Sequence, residues 1–218
     1  MWLVRPYGVY LPQADSWLLG QALNSAGIPS GGDVLDIGCG TGVLSILAAR
    51  TRPRSTTAVD VSRRAVWAAR VNTMVRGLDV RVERGDALDV VAGRSFDLVL
   101  ANPPYVPGPS EVPRRGRRRA WDAGTDGRAM LDRLCAAAPS LLAPGGTLLM
   151  VHSGLCDAET TVRQLRGGGL KAAVVARAEV PFGPVLRGRA RTLAARGLID
   201  AGQRTEELVV IRSDRTIT

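Results

Sequence analysis

Asp33-Val34-Leu35-Asp36-Ile37-Gly38-Cys39-Gly40-Thr41-Gly42 is a short apolar run that meets a turn with glycine at every second position, and a helical stretch through Ala49 follows. Strand, glycine-rich turn and helix form the repeating unit of parallel α/β sheets. Downstream, Ser55 to Asp60 reads as a second strand, Ser62 caps a helix ending near Gly77, and Asp79 to Glu83 gives a third strand. Phe96-Asp97-Leu98-Val99-Leu100-Ala101 is mostly apolar and bounded by turn formers, as suits a fourth strand covered on both faces; Asp97 before it is read as structural. A helix from about Asp126 to Leu142 leads through Pro144-Gly145-Gly146 into a fifth strand, Thr147 to His152, and another helix covers 156–167. Lys171 to Val180 and Glu206 to Arg212 are the last strands. The Arg-rich, Pro/Gly-containing segment between them shows no clear helix, so these two are expected to form a hairpin that adds one antiparallel strand. Upstream, residues 1–12 are aromatic and Pro-punctuated, and Asp15 is the expected N-cap of a helix carrying Trp17, Leu18, Leu19, Ala22 and Leu23 to Gly27. The expected fold is α/β: a seven-stranded, mainly parallel, Rossmann-like sheet with a terminal antiparallel hairpin. Residues 1–218 are expected to form a single domain, with 1–30 as a lid strand and leading helix and 106–126 as an Arg-rich loop.

The chain has 218 residues, 45% of them hydrophobic, which suffices for a sizeable core, and a formal net charge of +9. That charge suits acidic or nucleic-acid partners, although Lys171 is the sole lysine and GC-rich coding also yields arginine. Cys39, Cys135 and Cys156 have no Cys-x-x-Cys spacing, which argues against a disulfide framework or a zinc site and fits a reducing, cytoplasmic setting. His152 is the only histidine, so triads or metal sites built on several histidines are excluded. Trp2-Leu3-Val4 is far too short for a signal sequence, and no run approaches a transmembrane length.

Gly38, Gly40 and Gly42 remove side chains where a ligand must approach the backbone, and the turn directs helix N–H groups toward it. Val43 stands where a dinucleotide fingerprint needs glycine, so nicotinamide binding is excluded on spacing. Asp36 before the turn can hold a ligand ammonium, Asp60 at the end of the second strand can grip ribose hydroxyls, and Asp86 in Gly85-Asp86-Ala87 can accept from an adenine amino group. The spacing matches motif I of S-adenosylmethionine enzymes. Asn72 shares a helical face with Ala65, Ala68 and Ala69, so it either touches the site or is a structural amide; Trp67 and the methionines are expected in the core.

The fourth strand runs into Asn102-Pro103-Pro104-Tyr105. Two consecutive prolines fix φ and remove two donors, which leaves the carbonyls of Asn102 and Pro103 as acceptors beside the Asn102 side chain. Such a corner suits a planar NH2 group, and the tetrapeptide resembles motif IV of amino-group methyltransferases. A long loop follows to about Gly127 and carries Arg114, Arg115, Arg117, Arg118 and Arg119; loops of this length are usually functional or disordered.

Val9-Tyr10-Leu11-Pro12-Gln13-Ala14-Asp15-Ser16-Trp17-Leu18-Leu19, the glycine turn, Asn102-Pro103-Pro104-Tyr105-Val106, Ala120-Trp121-Asp122-Ala123-Gly124-Thr125-Asp126-Gly127-Arg128 and Glu207-Leu208-Val209-Val210-Ile211-Arg212 together resemble the HemK-like glutamine N5-methyltransferases. With about 30 residues before the first strand, the chain is most similar to the short branch that lacks the N-terminal helical bundle. The resemblance implies a class I methyltransferase sheet in which Asp36, Gly38, Gly40, Asp60, Asp86, Ala87 and Asn102 bind S-adenosylmethionine. It implies that Asn102 and Pro103 hold a glutamine side-chain amide, that Tyr105 flanks it, and that a translation release factor is the substrate, with a small activating partner subunit as a further expectation. An amide nitrogen is a poor nucleophile because its lone pair is delocalised, so two acceptors that fix both N–H groups are the chemistry such a site needs. Ala14 replaces the family's usual acidic residue, and the arginine run is excessive for the family; both departures fall where the substrate would be chosen. The alternatives are an RNA or DNA base amino methyltransferase, whose phosphates the arginine loop would suit, a small-molecule N-methyltransferase, and a cofactor- or RNA-binding scaffold without activity. No separate domain for reading bases is visible, and base chemistry in a duplex requires flipping.

Overall fold

Seven strands form one sheet in the computed structural model, which describes residues 1–27, 31–108 and 120–217. They are β1 (Asp33–Ile37), β2 (Ser55–Asp60), β3 (Arg81–Arg84), β4 (Phe96–Ala101), β5 (Leu142–Ser153), β6 (Lys171–Pro181) and β7 (Thr205–Asp214). The helices are α1 (Ala14–Ser25), α2 (Val43–Ala49), α3 (Arg63–Met74), the single turn α4 (Ala87–Val90), α5 (Ala129–Leu141), α6 (Ala158–Gly167) and α7 (Pro184–Ala195). The strand order is β3-β2-β1-β4-β5-β7-β6, and β7 runs antiparallel to both its neighbours while the other pairs are parallel. The chain builds outward from β1 to one edge and then returns to β4 beside β1. Ligands bind beyond the carboxyl ends of the strands at such a reversal, so the turn after β1 and the corner after β4 face the same crevice.

Period-two burial covers both faces of the sheet. Leu35, Ile37, Val99 and Ala101 pack toward Leu131, Leu134, Cys135 and Ala138 of α5. Val34, Leu98 and Leu100 point the other way, toward Leu19 and Leu23 of α1 and Val43 and Leu44 of α2. Near the β3 edge, Ala58 and Val82 pack against Val66 and Ala69 of α3. A satellite cluster of Val106, Phe182, Leu186, Leu193 and Ile199 lies under the loop that follows β4. Among the described residues no helix is long and apolar enough to cross a membrane.

Several local expectations are corrected. Asp15 is not a cap: Gln13 holds the N-cap position of α1 without a side-chain bond, and Asp15, in the first turn, is buried. Residues 1–13 form no strand; they lie along α3, where Asn72 accepts from Val4 N (2.7 Å) and donates to Val4 O and Thr41 O (both 2.9 Å). Asn72 is therefore the structural amide. Trp67 and Met74 are 54% and 71% exposed, because the core-facing stripe of α3 is made by Ala65, Val66, Ala68 and Ala69 instead. Pro144-Gly145-Gly146 is not a turn before β5 but a bulge inside it, since the pairing with β4 jumps from Phe96–Leu142 to Leu98–Thr147. β6 and β7 are antiparallel as expected, yet their connection holds α7. Seven of that helix's twelve residues are glycine, alanine or arginine at irregular spacing, so apolar periodicity does not announce it.

Candidate active site

The turn after β1 can exist only with glycine at its key positions. Gly38, Gly40 and Gly42 have φ of 71°, 56° and 80°, in the left-handed region, and a Cβ on Gly42 would press on Ala69 of α3 at 3.1 Å. The turn is sewn to the end of β2. Gly38 N and Cys39 N donate to Val59 O (2.9 and 3.1 Å), and Gly40 N donates to Asp60 Oδ2 (3.0 Å). The second oxygen of Asp60 accepts from Ser62 N at 2.8 Å, ahead of α3. Asp60 thus braces the turn as well as lining the cleft.

Asp36 is placed differently from expectation. It is fully buried behind the turn, where Ser45 Oγ of α2 donates to it (2.5 Å), and it does not line the cleft. Burial pushes its carboxyl up to about 6, opposed by the Ser45 bond. One carboxylate oxygen is buried without a partner among the described residues. The side chain alternates with Leu35 and Ile37 along β1, so the same pleat that sends those two toward α5 sends Asp36 under α2. Asp86 caps α4 by accepting from Leu88 N (3.2 Å), and its other oxygen pairs with Arg133 of α5 (3.0 Å). Asp86, Ala87 and Arg133 all line the cleft.

At the other end of the cleft stand Asn102, Pro103 and Tyr105. Their support comes from α1, which the sequence reading did not anticipate. Asp15, only 2% exposed, accepts from Tyr10 OH (2.7 Å) and Tyr105 OH (3.0 Å) through Oδ2, and from Ser16 N (2.5 Å) and Ser16 Oγ (3.1 Å) through Oδ1. Because Ser16 Oγ gives its proton to Asp15, it accepts from Asn102 Nδ2 at 3.2 Å. That chain of donors fixes which way the Asn102 amide points: nitrogen to Ser16, oxygen left as an acceptor. Burial, then the Asp15 charge, holds both tyrosine hydroxyls protonated well above their ordinary range. A signal was present in the sequence, since Asp15-Ser16 with Tyr10 five residues earlier puts three polar groups at the start of a helix whose later turns are apolar.

Glu206, at the start of β7, is buried near this group. Desolvation pushes its carboxyl up to about 7, the Asp15 charge adds to the effect, and the Ser153 hydroxyl opposes it. His152 is fully buried with Nδ1 against Ser153 O (2.8 Å), and burial lowers it to about 4. His152 does not line the cleft.

The structure therefore brings Gly38, Gly40, Asp60, Asp86, Ala87, Asn102, Pro103 and Tyr105 onto one cleft of about 800 Å³ and leaves Asp36 behind its wall. Gly8, Val9, Tyr10 and Pro12 complete the lining on the N-terminal side, held there by Arg64 donating to Tyr7 O (2.9 Å). Arg114, Arg115, Arg117, Arg118 and Arg119 lie outside the described residues.

Residues 13–118 match the methyltransferase small domain family. A Methanocaldococcus jannaschii protein provisionally named protein N5-glutamine methyltransferase is 35% identical over 175 residues, covering 80% of this chain and 87% of that one. The release factor glutamine methyltransferase of Deinococcus radiodurans is 36% identical over 186 residues, 83% of this chain and 63% of the Deinococcus enzyme. Among solved structures, a chain of the E. cuniculi Mtq2-Trm112 complex superposes with a TM-score of 0.69 at 22% identity, covering 96% of this chain and 99% of that one. The T. thermophilus 16S rRNA N2 G1207 methyltransferase gives 0.61 at 17% identity, covering 96% of this chain and 45% of that one. The structural likenesses establish a methyltransferase fold, and the sequence identity to the Methanocaldococcus protein across most of both chains places this chain in the protein N5-glutamine methyltransferase family.

Proposed function

We propose that this methyltransferase moves the methyl group of S-adenosylmethionine onto the side-chain amide nitrogen of a glutamine in a protein, a translation release factor first among candidates. One observation carries the choice of acceptor: Ser16 engages the nitrogen of the Asn102 amide, so Asn102 Oδ1 and the Pro103 carbonyl are the two acceptors left at the corner. A primary amide offers two in-plane N–H groups to match them. The release factor enzymes of Deinococcus and Geobacter, 36% and 33% identical, support the substrate class.

The residues fit the cofactor chemically. The left-handed turn exposes backbone beside Gly38 and Gly40, Asp60 presents a carboxylate at the end of β2, and Asp86 with Ala87 supplies an acceptor and an apolar floor. Asp36 acts from behind the turn; its unpartnered oxygen and raised carboxyl suit a cation held on the far side of Gly38. When bound, the cofactor supplies an electrophilic methyl group and its own driving force. The chain supplies orientation. Asn102 and Pro103 each take one N–H of the target amide, which fixes the nitrogen with its lone-pair face toward the cleft. A methylated amide nitrogen is so acidic before it loses its proton that water suffices to take it, and no general base is needed. Residues 106–126, with their arginine run, are proposed as the surface that docks the protein substrate, and the Mtq2-Trm112 complex motivates an activating partner as part of the proposal.

The test incubates the protein and labelled cofactor separately with release factors, total RNA, DNA and cell lysate, and locates the label by mass spectrometry. Label on a glutamine amide is the expected result. Label confined to RNA or a metabolite, with lysate partners present, overturns it.

A further inference from the structure

The long segment between β6 and β7, which shows no pattern in the sequence, grips the loop that follows the acceptor corner. Helix α7 buries Leu186 and Leu193 with Phe182 and Ile199 against Val106, while Tyr105 and Trp121 pack on the same cluster. From that platform two arginines reach the loop. Arg189 donates to Pro107 O (3.0 Å) with one guanidinium nitrogen and pairs with Asp122 (2.5 Å) through the other. Arg196 donates to Gly108 O (3.0 Å) and to Thr125 O (2.6 Å). Each guanidinium thus spans two strands of chain, the limb leaving Tyr105 and the limb returning through Trp121.

The limbs are also paired directly. Val106 N donates to Trp121 O (2.8 Å), Ala123 N to Val106 O (3.2 Å) and Gly108 N to Gly124 O (2.7 Å). Three backbone bonds in a short ladder without a third strand are weak by themselves. The arginines add what the ladder lacks. A planar fork can satisfy acceptors on both limbs at once, which a lysine ammonium on a flexible stem does not. Asp122 is 2% exposed and Arg189 19%, so this ion pair is largely shielded from water. Val106, Trp121, Asp122 and Ala123 are the residues that wall the cleft beyond Asn102 and Tyr105.

We propose that Arg189 and Arg196 are positioning residues for acceptor selection: they clamp the two limbs so that the wall of Val106, Trp121 and Ala123 keeps a shape that admits an extended peptide carrying one amide side chain. The inference rests on the proposed function for the kind of acceptor, but the clamp itself is a property of the chain alone.

The experiment compares the parent with Arg189→Ala, Arg189→Lys and Arg196→Ala. The measurements are amide hydrogen exchange at Val106, Gly108 and Ala123, thermal stability, cofactor affinity by calorimetry, and KM and kcat for whichever acceptor takes the label. Exchange at the three amides should quicken in all three variants. KM for the acceptor should rise about tenfold in Arg189→Ala, with cofactor affinity within about twofold of the parent. Arg189→Lys is the control for a merely structural ion pair. It retains the charge beside Asp122 but cannot bridge to Pro107, so it should keep the raised KM while recovering most of the thermal stability. Unchanged exchange in Arg189→Ala overturns the clamp, and it does so whether or not any protein is methylated. Parental KM in Arg189→Lys, or cofactor affinity falling in step with acceptor KM, overturns the role in acceptor selection. Absence of label on every protein, with exchange quickened, condemns the proposed substrate and leaves the clamp standing.

Discussion

Replacing Asp15 by alanine tests whether the start of α1 sets the geometry of the acceptor corner. Its carboxylate receives four hydrogen bonds, from Tyr10 OH, Tyr105 OH, Ser16 N and Ser16 Oγ. A bond to a charged acceptor nets about 1.5–3 kcal/mol, so a simple sum would be about 6–12 kcal/mol. That sum is too large, because burying a carboxylate itself costs several kcal/mol and alanine removes that cost. The two tyrosine hydroxyls and Ser16 N are nevertheless left facing a gap the size of a carboxyl group, and a net loss of about 2–4 kcal/mol of stability is expected. Asp15→Asn keeps the shape and one acceptor oxygen, so it should lose only about 1–2 kcal/mol. The functional effect follows the proton direction. Without Asp15 the Ser16 hydroxyl is free to turn and donate toward Asn102, which favours the flipped amide and presents Nδ2 where an acceptor is needed. A single neutral bond is worth about 1 kcal/mol, so the ratio of productive to flipped orientation should fall roughly fivefold, with kcat falling alongside and cofactor affinity unchanged. Urea unfolding gives the stability, and single-turnover methylation gives the rate. An Asp15→Ala protein within about 0.5 kcal/mol of the parent, or one with parental turnover, would refute the proposed hub.

Asn102→Ala should fold, keep most of its cofactor affinity and lose about a hundredfold or more in turnover, since it removes a preorganised acceptor; near-parental turnover by stopped assay would take Asn102 out of the mechanism. Asp60→Ala should weaken S-adenosylmethionine binding about tenfold to a hundredfold by calorimetry, because a charged acceptor is lost and Gly40 N and Ser62 N lose the group that braces the turn; unaltered affinity would remove Asp60 from the cofactor site. Glu206 has a carboxyl near 7 when folded against an ordinary value of 4.5. A raised acid contributes stability that is full below the unfolded value and is lost as pH rises through the folded one, so its window is pH 4.5 to 7. Glu206→Gln should therefore match the parent at the acid end and exceed it by about 3 kcal/mol at pH 8, and a stability difference that does not change with pH would refute this assignment. Replacing Arg114, Arg115, Arg117, Arg118 and Arg119 by serine should raise KM for a macromolecular acceptor and flatten its salt dependence; the same salt response in both proteins would show those charges to be bystanders.

Periodicity and turn chemistry were enough to read the sheet. Val34-Leu35 and Leu98-Val99-Leu100 are apolar on both faces, which only a strand covered by helices on both sides requires, and the glycines at 38, 40 and 42 mark a left-handed turn that no other residue type adopts cheaply. Asn102-Pro103-Pro104-Tyr105 could be placed at a strand end because two prolines cannot continue a ladder. What chain order alone could not supply were the contacts between residues far apart in sequence. Asp15 looked like a helix cap because the local pattern of a cap and of an inward carboxylate in the first turn is the same; only the arrival of Tyr105, 90 residues later, makes it a hub. Asp36 looked exposed to the ligand because a strand-end carboxylate usually is, yet the pleat of β1 and the position of α2 turn it to Ser45. Helix α7 carries no pattern of its own because its contacts are remote: Arg189 within it and Arg196 just past its end are placed by the loop limbs they reach at Pro107, Gly108 and Thr125, up to 88 residues away, and not by a helical period. The sequence by itself determined the order of the strands' hydrophobic faces, the left-handed glycine turn after β1 and the Asn-Pro-Pro corner after β4, all of which are written in neighbouring residues. Tertiary structure decided the orientation of the Asn102 amide, the burial of Asp36 and the clamp on the loop, because each depends on a donor or acceptor brought in from a distant element.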